Sequence, residues 1–139
     1  MRKYFILLVV ICCMGNTNLF AGKASFTTDK RFDNFKVRFI NELWKHNPMW
    51  ATEIGYHAYD SVLEVNNEQY RKSQVTFSKS YLDSLKTYDK ATLNSLNRMD
   101  YNLIENYLNS NIFYITEMKS WQWNPSSYNA TGNVAFMLS

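Results

Sequence analysis

The stretch Asn47-Pro-Met-Trp-Ala-Thr-Glu-Ile-Gly-Tyr-His-Ala-Tyr-Asp60 limits what this chain can fold into more than any other. Two long runs of helical periodicity flank it, and it carries the residues that stop and redirect a helix. Pro48 suits the first position of a helix, where its missing N–H costs nothing, and Gly55 suits the left-handed residue just past a helix end. One or two helical turns therefore lie between them. The corner then releases Tyr56, His57, Tyr59 and Asp60 into a polar, aromatic loop before a new helix opens near Asn67.

Upstream, Phe32, Phe35, Phe39, Ile40, Leu43 and Trp44 recur at threes and fours, which lines them along one side of a helix. Thr28 or Asp29 can cap its start, after a flexible lead-in over 21–28. The residue before a proline is pushed away from helical angles, so His46-Asn47 ends it. Downstream, Tyr70, Gln74, Phe77, Tyr81, Leu85 and Tyr88 form a second stripe behind an Asn67 cap. A third stripe of Tyr101, Ile104, Leu108, Ile112 and Ile115, opened by Ser95 or Asn97 and broadened by Leu103, Tyr107 and Tyr114, predicts a helix buried on more than one side. The expected fold is all-α: three long helices near 29–46, 67–88 and 97–120, a short helical turn beginning at Pro48, and no sheet. Trp121-Gln-Trp-Asn-Pro125 reads as a second corner, with Trp121 and Trp123 on one side if the segment is strand-like.

Met1-Arg-Lys-Tyr4 followed by the apolar run Phe5 to Met14 and by Leu19-Phe-Ala21 reads as a signal peptide over 1–21. A spanning helix needs about 20 apolar residues, roughly twice this run. The two cysteines, Cys12 and Cys13, lie inside the leader, so a chain cleaved after Ala21 has no disulfide framework. Lipidation at Cys12 is the rival reading, although Val9-Val-Ile11 lacks the small residues such a site carries; only that route gives a membrane anchor. Export follows either way, to the periplasm, the medium or a lipid-anchored position. With Arg2 and Lys3 removed, thirteen basic residues face twelve acidic ones, and this near-neutral, interspersed balance offers no stripe for nucleic acid.

No catalytic constellation is legible. His46 and His57 stand eleven residues apart across a proline and a glycine, whereas a helix-borne zinc pair needs histidines one turn apart with a glutamate between. No nucleophile elbow, phosphate-cradling glycine loop or cysteine nucleophile is present, since Gly55 and Gly132 are the glycines with a structural role left after cleavage. Glu53 and Glu64 read as solvated surface, Asp60 as a cap or a partner for His57, and His46 as a favourable charge at a helix end. No catalytic residue, metal ligand or cofactor is assigned. The residues that can form a binding or structural corner are Trp50, Tyr56, His57, Asp60, Trp121, Trp123 and Tyr128, the two tryptophans serving as a stacking platform or as a plug between helices. Asn129-Ala-Thr131 is a glycosylation sequon.

Phe39-Ile-Asn-Glu-Leu-Trp-Lys-His-Asn-Pro48, Trp50-Ala-Thr52 and Ile54-Gly-Tyr-His-Ala-Tyr-Asp60 resemble the opening of the bacterial family called domain of unknown function 885. Arg98-Met-Asp-Tyr-Asn-Leu-Ile104 resembles its Arg-x-Asp-Tyr-x-Leu-Leu helix, and Trp121 to Pro125 with Tyr128 resembles its Trp-x-x-x-Pro-x-x-Tyr segment. The resemblance implies a longer, helical, exported or lipid-anchored protein like a zinc-dependent peptidase, whose His-Glu-x-x-His signature lies far downstream and has no match here. Zinc is thus expected only in a full-length relative. On this reading residues 22–139 are an incomplete domain, inactive alone, whose partner is the missing carboxy-terminal portion or another protein. The alternative is a small exported helical binding module. The run Val134 to Leu138, with nothing after it to cover it, leads to the expectation of an associating chain.

Overall fold

The computed structural model describes residues 17–128, with side chains described over 26–126. The leader's apolar run, Cys12 and Cys13, the sequon and Val134 to Leu138 fall outside those bounds.

The protein is all-α. Helix α1 is Thr17–His46, α2 is Pro48–Glu53, α3 is Glu68–Leu85, α4 is Ser95–Phe113 and α5 is Ser120–Trp123, with single 3-10 turns at His57–Tyr59, Lys90–Thr92 and Pro125–Tyr128. Cross-helix pairs fix the directions. Tyr88 reaches the Arg31 carbonyl, Tyr81 the Arg38 carbonyl and Gln74 the His46 carbonyl, so α3 runs antiparallel to α1. Asp29 meets Asn97, Lys36 meets Asp100 and Phe39 meets Tyr107, so α4 runs parallel to α1. The result is an up-down-up bundle in which the corner makes the first reversal.

The core follows the α1 stripe. Phe32, Phe35, Phe39 and Leu43 are buried against Phe77, Leu82 and Leu85 of α3 and Tyr101, Ile104 and Leu108 of α4, with Leu93 closing the lower end. The Phe32 ring is fully buried and lies 5.7 Å from Phe35, 5.2 Å from Tyr88 and 6.2 Å from Tyr101 between centroids. Three expected stripe residues stand outside: Ile40 is only partly covered, and Leu103 and Tyr114 turn to solvent, so α4 has one buried face rather than several.

Three boundaries differ from the sequence reading, each for a local reason. α1 begins at Thr17, not near 29, because 21–28 contains no proline and a single glycine does not stop a helix. Asp29 instead serves the start of α4, its Oδ1 accepting from the Asn94 backbone N–H at 3.0 Å and from Asn97 Nδ2 at 2.9 Å. α4 is capped by Asn94, whose Oδ1 accepts from the Asn97 N–H at 2.9 Å, so Asn97 falls in the first turn and is buried. Its Oδ1 accepts from Lys36 Nζ at 2.6 Å, and Lys36 also meets Asp100 at 2.7 Å and Asp33 at 3.0 Å. Partial burial opposes the Lys36 charge, but these bonds outweigh it and hold its pKa above the usual lysine value.

The third difference ends α4 early. Past Phe113 the chain widens into a π turn over Tyr114–Met118, closed by the Lys119 N–H on the Tyr114 carbonyl at 3.0 Å. Lys119 then adopts φ 47°, the left-handed region, and is the one non-glycine among the described residues with positive φ. That conformation costs a side-chain-bearing residue roughly 1–2 kcal/mol and breaks the helix without a sequence signal. No strand occurs among the described residues, and no helix there is long and apolar enough to cross a membrane.

Candidate functional site

The corner forms as its sequence dictates. Pro48 is the first residue of α2, and Gly55 follows its end at φ 86°. The Tyr56 N–H reaches the Ala51 carbonyl at 2.8 Å and the Gly55 N–H reaches the Thr52 carbonyl at 2.9 Å. These two bonds are a Schellman closure, which satisfies carbonyls that the helix end leaves open. The Thr52 hydroxyl lies 2.7 Å from Asp60 Oδ1 and 3.1 Å from the Pro48 carbonyl oxygen, and its single proton favours the nearer, charged carboxylate. Asp60 Oδ2 meets His57 Nδ1 at 2.9 Å. The Thr52 hydroxyl first, and His57 after it, hold the Asp60 carboxyl below the usual carboxylate range.

This Thr52–Asp60–His57 chain is a latch and not a nucleophile relay. The carboxylate sits in the middle, so the imidazole cannot take the hydroxyl proton. Tyr56 and Tyr59 lie beside it as a tilted ring pair 6.0 Å apart, and Trp50 meets the Trp44 ring edge-on at 5.0 Å. Burial lowers the His46 pKa, ahead of the opposing pull of Glu42, so burial works against the helix-end charge expected there, and the ring lies 4.6 Å from Phe77. His46 and His57 thus serve different neighbours. Among the described residues no three His, Cys, Asp or Glu side chains come together as a metal ion requires.

The second corner is helical, so the strand-like condition for placing Trp121 and Trp123 on one side is not met. Trp121 and Trp123 sit on the turn Ser120–Trp123, where a two-residue step rotates by about 200°, so the pair divides. Trp123 is largely exposed and donates Nε1 to the Met118 carbonyl at 3.0 Å. Trp121 turns the other way and lies under the Arg71 guanidinium, 4.0 Å from its ring centroid. Tyr128 closes the last 3-10 turn by its backbone.

Between the corners lies a cleft of about 280 Å³. Asn47 contributes from the first corner, Glu64 from the following loop, Tyr70, Arg71 and Gln74 from α3, and Trp121 from the second corner. Asn47 is fixed by donating Nδ2 to the Leu43 carbonyl at 2.8 Å, which leaves Oδ1 to accept from Gln74 Nε2 at 3.1 Å, with the Tyr70 hydroxyl oxygen 3.4 Å away. Gln74 is 3% exposed, and its Nε2 also donates to the His46 carbonyl at 2.8 Å. A carbonyl only accepts, so this contact settles which end of the amide is nitrogen. Its Oε1 is a buried acceptor with no donor on the protein.

Glu64 is the other unusual group. Burial raises its carboxyl pKa against the opposing pull of the Tyr70 hydroxyl and the Met49 N–H, and burial with the neighbouring Glu64 charge pushes Tyr70 well above the usual phenol range. A half-buried carboxylate lining a cleft is a disposition for binding a hydrogen-bond donor. Of the expected corner residues, only Trp121 lines this cleft. Glu64, expected on the solvated surface, is drawn in by the reversal that carries the loop back over α3. Gln74 did carry a signal, a polar residue on an otherwise aromatic stripe.

No protein-family model matches the chain, and no curated protein does. A solved structure is similar. It is that of a putative lipoprotein of unknown function from Shewanella oneidensis, 41% identical, with a TM-score of 0.73 over 76% of this chain. The matched region is 19% of that protein, so this chain spans about a fifth of its length.

Proposed function

We propose that this chain is an exported helical layer that forms one wall of a substrate cleft in a longer, peptidase-like protein and hydrolyses nothing by itself. The observation that carries the reading is the 41% identity to a fifth of the Shewanella oneidensis protein, whose description as a lipoprotein makes export the natural setting for this chain too. The resemblance to domain of unknown function 885 supplies the peptidase-like context, in which zinc and the catalytic residues belong to the portion beyond this layer. The cleft between the corners adds the chemistry of a binding wall: fixed acceptors and an aromatic floor, with Thr52, Asp60 and His57 locking the adjoining loop.

Export and its route are tested together by expressing the full chain in a Gram-negative host, fractionating the cells and weighing the product. The reading expects an exported chain either cut after Ala21 or carrying acyl groups at Cys12. A full-length cytoplasmic product with an intact leader would overturn it.

A further inference from the structure

The cleft holds two fixed charges of opposite sign that do not satisfy one another. Glu64 takes its contacts from Tyr70 and the Met49 N–H, and Arg71 donates Nη1 to the Asn66 carbonyl at 3.1 Å. Stacking on Trp121 holds the guanidinium flat on one face and leaves edge N–H groups for a planar anion, which is how arginine takes a carboxylate. On the Glu64 side the supply is reversed. Glu64 lines the cleft as a carboxylate and calls for N–H donors. An anion alone would face Glu64, and a cation alone would face Arg71.

We propose that this cleft binds a small zwitterionic α-amino acid, its ammonium group on Glu64 and its carboxylate on Arg71, with an apolar side chain against Trp121 and Ile115. A volume of about 280 Å³ suits one such molecule and excludes a folded partner. This deepens the reading of the chain as a cleft wall and rests on it for the choice of site. Its test involves no hydrolysis, so the two can fail separately.

The experiment is a titration of the uniformly ¹⁵N-labelled full chain with L-leucine, followed through the indole N–H signals. Trp44, Trp50 and Trp123 do not line the cleft and act as internal controls for Trp121. Leucine should shift the Trp121 signal saturably and leave the Trp123 signal in place. N-acetyl-leucine, which has no ammonium group, and leucinamide, which has no carboxylate, should each bind about tenfold or more weakly, the cost of one charge-assisted bond. Glu64→Gln should weaken leucine while leaving N-acetyl-leucine unchanged, and Arg71→Lys should do the same with leucinamide as the unaffected probe. If either variant fails to fold, judged by its helical circular dichroism, the blocked ligands decide on the unaltered chain. No saturable shift with leucine, a shift of all four indoles together, or equal binding of the blocked ligands overturns the proposal.

Discussion

Replacing Asn97 by alanine tests the clasp that ties the amino-terminal half of α1 to the start of α4. Asn97 is 3% exposed and makes two side-chain bonds to charged groups, donating to Asp29 at 2.9 Å and accepting from Lys36 at 2.6 Å. A hydrogen bond to a charged partner contributes about 1.5–3 kcal/mol. The low end applies, because neither charge is stranded: Asp29 keeps the Asn94 N–H, and Lys36 keeps Asp100 and Asp33. Two such bonds give roughly 3 kcal/mol, and the better helix propensity of alanine returns about 0.5 kcal/mol, leaving a loss of roughly 2.5 kcal/mol. In a domain of this size that lowers the melting temperature by about 10–20 °C. Urea unfolding of the full chain, followed by helical circular dichroism, reads the loss directly. Repeating Asn97→Ala in an Asp29→Ala background should recover a coupling of about 1 kcal/mol or more. A loss under about 0.5 kcal/mol with no coupling would refute the reasoning, since the bonds would then behave as solvated surface contacts.

Three other outcomes are expected. Phe32→Ala removes a fully buried ring from the centre of the aromatic cluster and should cost about 3–5 kcal/mol, whereas Leu103→Ala on the exposed side of α4 should stay within about 0.5 kcal/mol; equal losses would displace the core. Gly55→Ala meets no atom within 4 Å but must hold φ 86°, so denaturant unfolding should show a loss of about 1–2 kcal/mol from backbone strain alone. Glu64→Gln should stabilise the chain at neutral pH and not at acid pH. The folded-state pKa of Glu64 is raised, so its carboxylate opposes folding above that value, and the penalty disappears as pH falls and the group protonates. A melting-temperature gain that does not depend on pH would contradict this.

The parts of the fold legible in the sequence are those set by nearest neighbours. Phe32, Phe35, Phe39 and Leu43 announce α1 by spacing, the Asn67 cap appears where it was expected, and Pro48 and Gly55 bracket α2. What was hidden depends on distant partners. Asp29 looks like a cap for its own helix and instead accepts from Asn94 and Asn97, more than sixty residues away. Lys119 breaks α4 in a conformation that its residue type does not advertise. Glu64 sits in an aperiodic loop and gains its character only when α3 is brought alongside. The corner residues proposed from sequence fold into a latch at Asp60 and a split tryptophan pair, and the cleft lies between those two features.

The central claim is that this layer binds but does not cut, and a side-by-side hydrolysis assay tests it most directly. The purified full chain and the full-length Shewanella oneidensis protein would each be incubated with a mixed set of short peptides, with and without added zinc, and the products followed by mass spectrometry. The expected result is no turnover from this chain at any zinc concentration, whatever the longer protein does under the same conditions. Peptide turnover by this chain that survives repurification, or one zinc per chain retained through dialysis, would contradict it.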